Sequence, residues 1–102
     1  MSNIPDEHEI FGKLKNIIVS ALMVDSDLVT QEAKIFNDLD AESIDIVDMR
    51  FQIEQTFGLK IDQNEMLKSL GENLDAYEVR EKFTVGWVAR YISDKLKSVV
   101  QS

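Results

Sequence analysis

Cysteine is absent from the 102 residues, while proline and histidine occur once each and glycine four times. Without Cys the polypeptide has neither a disulfide framework nor a thiol of its own, which suits a reducing compartment. The one histidine, His8, lies near the N-terminus, so ordinary Ser-His and Cys-His nucleophilic arrangements and His/Cys metal sites are excluded. A positive balance is missing too: 11 Lys and Arg stand against 19 Asp and Glu, a net charge of −8. Such a field repels nucleic-acid phosphates and anionic membrane surfaces and attracts basic protein patches. The longest apolar run, Ile17 to Val24, is too short to span a bilayer, and the acidic stretch PDEHE lacks the basic start of a signal peptide. These absences lead us to expect a cytoplasmic monomer whose partners are proteins.

What the chain does have is helical periodicity, in a length that suits one domain with a thin core. Ile10, Leu14, Ile17, Ile18 and Ala21 recur at helical spacing, predicting a first helix from Asp6 to Met23. Val24 to Glu42 has no sustained period, only apolar anchors at Leu28, Val29, Ile35, Phe36 and Leu39, and reads as a long ordered loop. A second helix starts at or just before Ser43 and ends at Gly58, which suits the left-handed position after Phe57. A weaker helical stretch runs from Gln63 to Leu70, and a short helix starts at Asp75 with Ala76, Val79 and Phe83 on one side. The last begins after Thr84 and carries Val85, Val88, Ala89, Ile92, Leu96 and Val99 as one stripe. With almost no strand signal, no repeat and no linker, the fold class is all-α: three major helices with minor ones.

The second helix carries two apolar stripes. Ile46, Met49, Ile53 and Phe57 form the core face. Ile44, Val47 and Phe51 lie more than a quarter-circle away, bordered by Asp48, with Asp45 further round. This second stripe reads either as a wider buried face or as a partner-binding patch, and its acidic border favours the patch.

Candidate chemistry is sparse. Asp38-x-Asp40-x-Glu42 has the opening of a calcium loop but fails at its sixth position, Ser43, and its twelfth, Met49. No catalytic residues stand out, and an autonomous enzyme is not expected. That leaves Ser43, in the acidic stretch DLDAESIDIVD. Taken alone it reads as a helix N-cap, worth about 1 kcal/mol.

The wider segment FNDLDAESIDIVDMRFQIEQTFGLKID resembles the prosthetic-group site and second helix of acyl carrier proteins. That family has Asp-Leu-Gly-x-Asp-Ser-Leu followed by an acidic, apolar helix. Asp38 and Leu39 take the places of the Asp-Leu, Ser43 that of the modified serine, Asp45 and Asp48 those of helix acids, and Phe57 and Ile61 those of apolar anchors. The resemblance implies a four-helix bundle with a long first loop, here with an additional short helix before the last. It also implies 4′-phosphopantetheine, moved from coenzyme A onto Ser43 by a phosphopantetheinyl transferase, and a terminal thiol that holds acyl groups as thioesters. Asp38, Glu42, Ile44, Asp45, Val47, Asp48 and Phe51 then read as the docking surface for acyl-transferring or acyl-activating enzymes with basic patches. Ile46, Met49, Ile53 and Phe57 read as candidate lining for an acyl chain. The alternative is an unmodified carrier-like protein that only docks.

The chain departs from the pattern at several points. Glu42 replaces the usual Asp, Ile44 the usual Leu and Asp40 the usual Gly. Arg50 puts a positive charge inside the acidic helix, either for different partners or simply to pair with Glu54 four residues on. The 22 residues from Asp62 to Phe83 are more than common carriers have there. We expect from this a stand-alone carrier dedicated to one lipid, envelope-lipid or secondary-metabolite pathway, with the extra segment beside the acyl chain.

Overall fold

The computed structural model describes residues 5–101, with side chains as far as Ser98. Helix α1, Glu7–Leu22, starts where the Asp6 side chain accepts the Glu9 N–H at 2.8 Å. Two acids in its first turn, Glu7 and Glu9, suit the positive end of the helix dipole. It ends as Met23 turns left-handed at φ 57° and returns its N–H to Val19. Ile10, Leu14, Ile17 and Ile18 are its buried stripe, as their spacing predicts.

Helix α2, Ser43–Phe57, is stopped by Gly58 at φ 68°, a conformation that costs glycine no clash. Helix α3, Gln63–Lys68, is capped by the Asp62 side chain and ends two residues short of Leu70, because Ser69 tightens into a turn on the Glu65 and Met66 carbonyls. Helix α4, Ala76–Lys82, has Asp75 and Glu78 as a reciprocal capping box. Ala76 is exposed; Val79 is half-buried, and Phe83 just beyond the helix is buried. Helix α5, Val85–Gln101, begins with the Trp87 N–H on Thr84 Oγ1 at 3.1 Å. Val85, Val88 and Ile92 are buried and Ala89 and Leu96 pack beside them; Val99 lies outside the described side chains.

α1 packs against both α2 and α5, so the three long helices share one core. Among the described residues there is no strand, only an isolated antiparallel bridge between Lys34 and Thr84. No described helix is long and apolar enough to cross a membrane.

The loop between α1 and α2 is ordered by its own anchors. Val29, Ala33, Ile35, Leu39 and Ala41 are buried, and Phe36 packs on the core edge. Leu28, expected among the anchors, is instead 55% exposed. It closes a 3₁₀ turn, Ser26–Leu28, with no buried residue, and its neighbour Val29 takes the buried place.

Candidate functional site

Ser43 is the first residue of α2, not its cap. The cap is Glu42, in extended conformation, whose N–H donates to Asp45 Oδ2 at 2.8 Å while its carbonyl accepts the Asp45 N–H at 2.9 Å. This corrects the N-cap reading of the serine and has a chemical consequence. Among the described residues the exposed Ser43 hydroxyl has no hydrogen-bond partner, so no capping bond must break before its oxygen reacts. The Ser43 and Ile44 N–H groups, in the first helical turn, likewise have no acceptor among the described residues. Free N–H groups at the positive end of a helix suit a phosphodiester there.

The chain enters this site through a tight turn. The Lys34 carbonyl accepts the N–H groups of Asp38 and Leu39, the Ile35 carbonyl accepts that of Ala41, and Asp38 Oδ2 accepts the Lys34 N–H at 2.8 Å. Asp38 is thus exposed, as a docking residue must be, yet one of its oxygens also closes the turn. Asp40 stands at φ 59°, in the left-handed region. This gives the departure from Gly a physical reason: the position needs positive φ, and Asp is among the few other residues that tolerate it.

The two stripes of α2 separate cleanly. Ile46, Met49 and Ile53 are each 2% exposed, with Phe57 half-buried at the core edge. Ile44, Val47 and Phe51 are 73, 45 and 57% exposed, so they are surface and not a wider core. Asp38, Asp40, Glu42, Asp45 and Asp48 fall within eleven residues that contain no Lys or Arg, and Asp48 borders the stripe on the helix. The result is an apolar patch with an acidic border beside a free hydroxyl. A cleft of about 400 Å³ runs between α3 and α5, lined by Glu65, Ser69, Trp87, Tyr91 and Lys95. There burial pushes the Tyr91 hydroxyl up, and the hydrogen bond to Glu65 holds Lys95 above the ordinary lysine range.

Two arrangements tie α2 and the loop before it to later parts of the chain. Arg50 and Glu54 together grip the backbone of Ile61: Glu54 Oε2 accepts its N–H at 2.8 Å, and Arg50 Nη1 donates to its carbonyl at 3.2 Å. Arg50 also lies 3.4 Å from Glu54, so the pairing reading of Arg50 is the one the structure supports. Lys34 pairs with Glu81 of α4 at 2.9 Å, and this hydrogen bond and charge hold Lys34 above the ordinary lysine range. Only the spacing of Arg50 and Glu54 was readable beforehand; Lys34 and Glu81 are 47 residues apart. Among the described residues no group of three or more His, Cys, Asp or Glu is placed to hold a metal ion.

Residues 12–73 match the phosphopantetheine attachment site family, more than half of the chain. The chain belongs to the acyl carrier protein family. It is 40% identical over 88 residues to an acyl carrier protein of Thermotoga maritima, covering 86% of this chain and 93% of that one. A second, from Lactobacillus acidophilus, is 43% identical over 68 residues, 65% of this chain and 85% of its own. As a carrier the chain is not a catalyst, and its prosthetic group is 4′-phosphopantetheine. Membership also implies modification by a phosphopantetheinyl transferase. The free, exposed hydroxyl at the start of α2, with unpaired N–H groups beside it, fits that group.

Proposed function

We propose that this chain, as one carrier domain acting in the cytoplasm as a monomer, holds acyl groups on a 4′-phosphopantetheine arm attached to Ser43 and presents them to partner enzymes. The carrying observation is the Ser43 hydroxyl: exposed, without a hydrogen-bond partner among the described residues, and standing on the first turn of α2 rather than in its cap. In loading, the Ser43 oxygen attacks the coenzyme A phosphorus that bears the pantetheine arm, the phosphoanhydride bond breaks, and adenosine 3′,5′-bisphosphate leaves. The transferase takes the hydroxyl proton. Once attached, the arm supplies the thiol that the polypeptide lacks, and acyl groups ride on it as thioesters.

The remaining residues orient and recognise. Ile44, Val47 and Phe51 offer partners an apolar contact, while Asp38, Glu42, Asp45 and Asp48 steer basic patches toward it. Ile46, Met49, Ile53 and Phe57 pack as core here. An acyl chain entering between them replaces those contacts, and each buried CH₂ returns about 0.8 kcal/mol. Dedication to one lipid, envelope-lipid or secondary-metabolite pathway is supported by the long segment from Asp62 to Phe83, which forms both α3 and α4. Of the two, α4 bonds to the loop before Ser43 through Glu81, while α3 bonds to α5 through Glu65 and Lys95 and buries Met66 in the core.

Intact mass before and after incubation with a phosphopantetheinyl transferase, Mg²⁺ and coenzyme A tests the proposal. The expected result is a gain of one phosphopantetheine on the wild type and none on Ser43→Ala. No gain on the wild type with several transferases would leave a carrier-like protein that only docks.

A further inference from the structure

We propose that Glu81, on α4, is a positioning residue for the loading of Ser43, acting through the loop that leads into α2. The inference rests on Ser43 being the attachment residue. Its starting point is that one carboxylate uses both oxygens on the same short stretch: Glu81 Oε1 accepts from Lys34 Nζ at 2.9 Å and Oε2 from Asn37 Nδ2 at 3.1 Å. Lys34 is the residue on which the turn closes, through the N–H groups of Asp38 and Leu39 on its carbonyl. Ile35 then holds Ala41, two residues before Ser43, by a 3.1 Å bond. Glu81 therefore grips the base of the turn whose far end sets the direction of α2's first residue.

The loop is fastened to the same region by its backbone. The Ile35 N–H donates to the Phe83 carbonyl at 3.0 Å, and the Val85 and Gly86 N–H groups donate to Ala33 and Gln31 at 3.0 and 2.9 Å. A β-carbon at Gly86 would stand 2.9 Å from the Gln31 oxygen, so the loop sits this close because that residue has none. Phe36 meets Phe83 at 5.6 Å, and the Arg80 guanidinium lies 5.3 Å over the Phe36 ring. These contacts fix the loop as far as Phe36. Beyond it Leu39 is anchored in the core, while Asn37, Asp38 and Asp40 are exposed; among the described residues the polar side-chain tie from these three to the rest of the bundle is Asn37 to Glu81.

Removing the carboxylate spares every backbone bond, and the side chains of the Lys34 pair are 35 and 34% exposed, so little stability is at stake. What changes is the freedom of the turn. A reacting oxygen displaced by a fraction of an ångström lowers the rate of a transfer that depends on alignment, without altering the surface a transferase first meets. The loss therefore falls on kcat, with KM for the carrier preserved.

The test measures loading kinetics by intact mass with a phosphopantetheinyl transferase, Mg²⁺ and coenzyme A, alongside melting and amide exchange, on the full chain. For Glu81→Ala the expected kcat is lower by about fivefold at unchanged KM, a loss typical of misplaced alignment. Amide exchange should rise from 37 to 41 and stay as in the wild type in α1 and α5. Glu81→Gln, which keeps an acceptor for Asn37, should recover part of the rate. Wild-type kcat in Glu81→Ala would overturn the inference. So would a slower rate accompanied by faster exchange throughout the bundle, which would be general destabilisation. Failure of the wild type to load would instead remove Ser43 as the attachment residue, and this inference with it.

Discussion

Met49, Arg50 and Phe51 follow one another on α2 and meet three different surroundings. Met49 is sealed in the core, Arg50 reaches along the helix to the Ile61 backbone, and Phe51 stands in solvent. The helical rotation of about 100° per residue separates them, so their neighbours differ although their positions in the chain hardly do. The comparison teaches that α2 does two jobs on opposite sides. Its inner side holds the bundle together, and its outer side is kept apolar at no benefit to folding. An exposed apolar patch is ordinarily avoided on a lone protein, and here it begins at Ile44, directly after the exposed Ser43.

Truncation on the inner side gives the largest effect. Met49→Ala removes a fully buried side chain from the middle of the common core, and the cost expected from such deletions is about 2–5 kcal/mol. Urea unfolding followed by circular dichroism measures it. A cost below about 1 kcal/mol would mean that the core closes over the gap, and that the inner side is less tightly packed than its exposure indicates.

How much of this was legible beforehand follows the range of the interactions. Local periodicity carried α1, both stripes of α2 and the start of α5, because the residues that define a helix face lie three or four apart. Gly58 as the stop of α2 and Asp75 as the cap of α4 were equally local. The start of α2 at Ser43 was legible too, but the residue that caps it was not. A serine before an apolar run looks like a cap, and only the geometry gives the cap to Glu42, since Asp45 rather than the serine takes up the free backbone N–H. Leu28 failed as an anchor because in a loop the choice between adjacent Leu28 and Val29 depends on which way the chain turns. The tie from Glu81 to Lys34 joins positions that no local pattern relates.

Arg50 falls between its two neighbours. Its pair with Glu54 is partly exposed, which keeps its Coulombic contribution small, but the bond to the Ile61 carbonyl links α2 to the segment before α3. Against that, its Nε is buried without a partner, a cost of the same order. Arg50→Ala is therefore expected to lose about 1 kcal/mol in urea unfolding, with the Ile61 amide still protected by Glu54. Arg50→Met, which keeps the side-chain stem and drops the buried Nε, should lose less. A partner enzyme that binds either variant more weakly than wild type, at equal stability, would give Arg50 a part in the choice of partner as well.

Phe51→Ala should be nearly silent in unfolding, within about 0.5 kcal/mol, because the ring is already more than half in water. The same substitution is the sharpest test of the outer side. With Ile44 and Val47, Phe51 makes up the apolar part of the patch, and a partner that covers the ring removes it from water at about 25 cal/mol per Å². Loss of that contact should raise KM for a partner acyltransferase by about tenfold, equivalent to 1.4 kcal/mol, at unchanged kcat. Loading by the transferase provides a second readout on the same variant, since normal Ser43 modification would confirm that the fold and the hydroxyl are intact. If Phe51→Ala instead destabilised the chain as Met49→Ala does, the two sides of α2 would not be functionally distinct, and the exposed stripe would belong to the core after all.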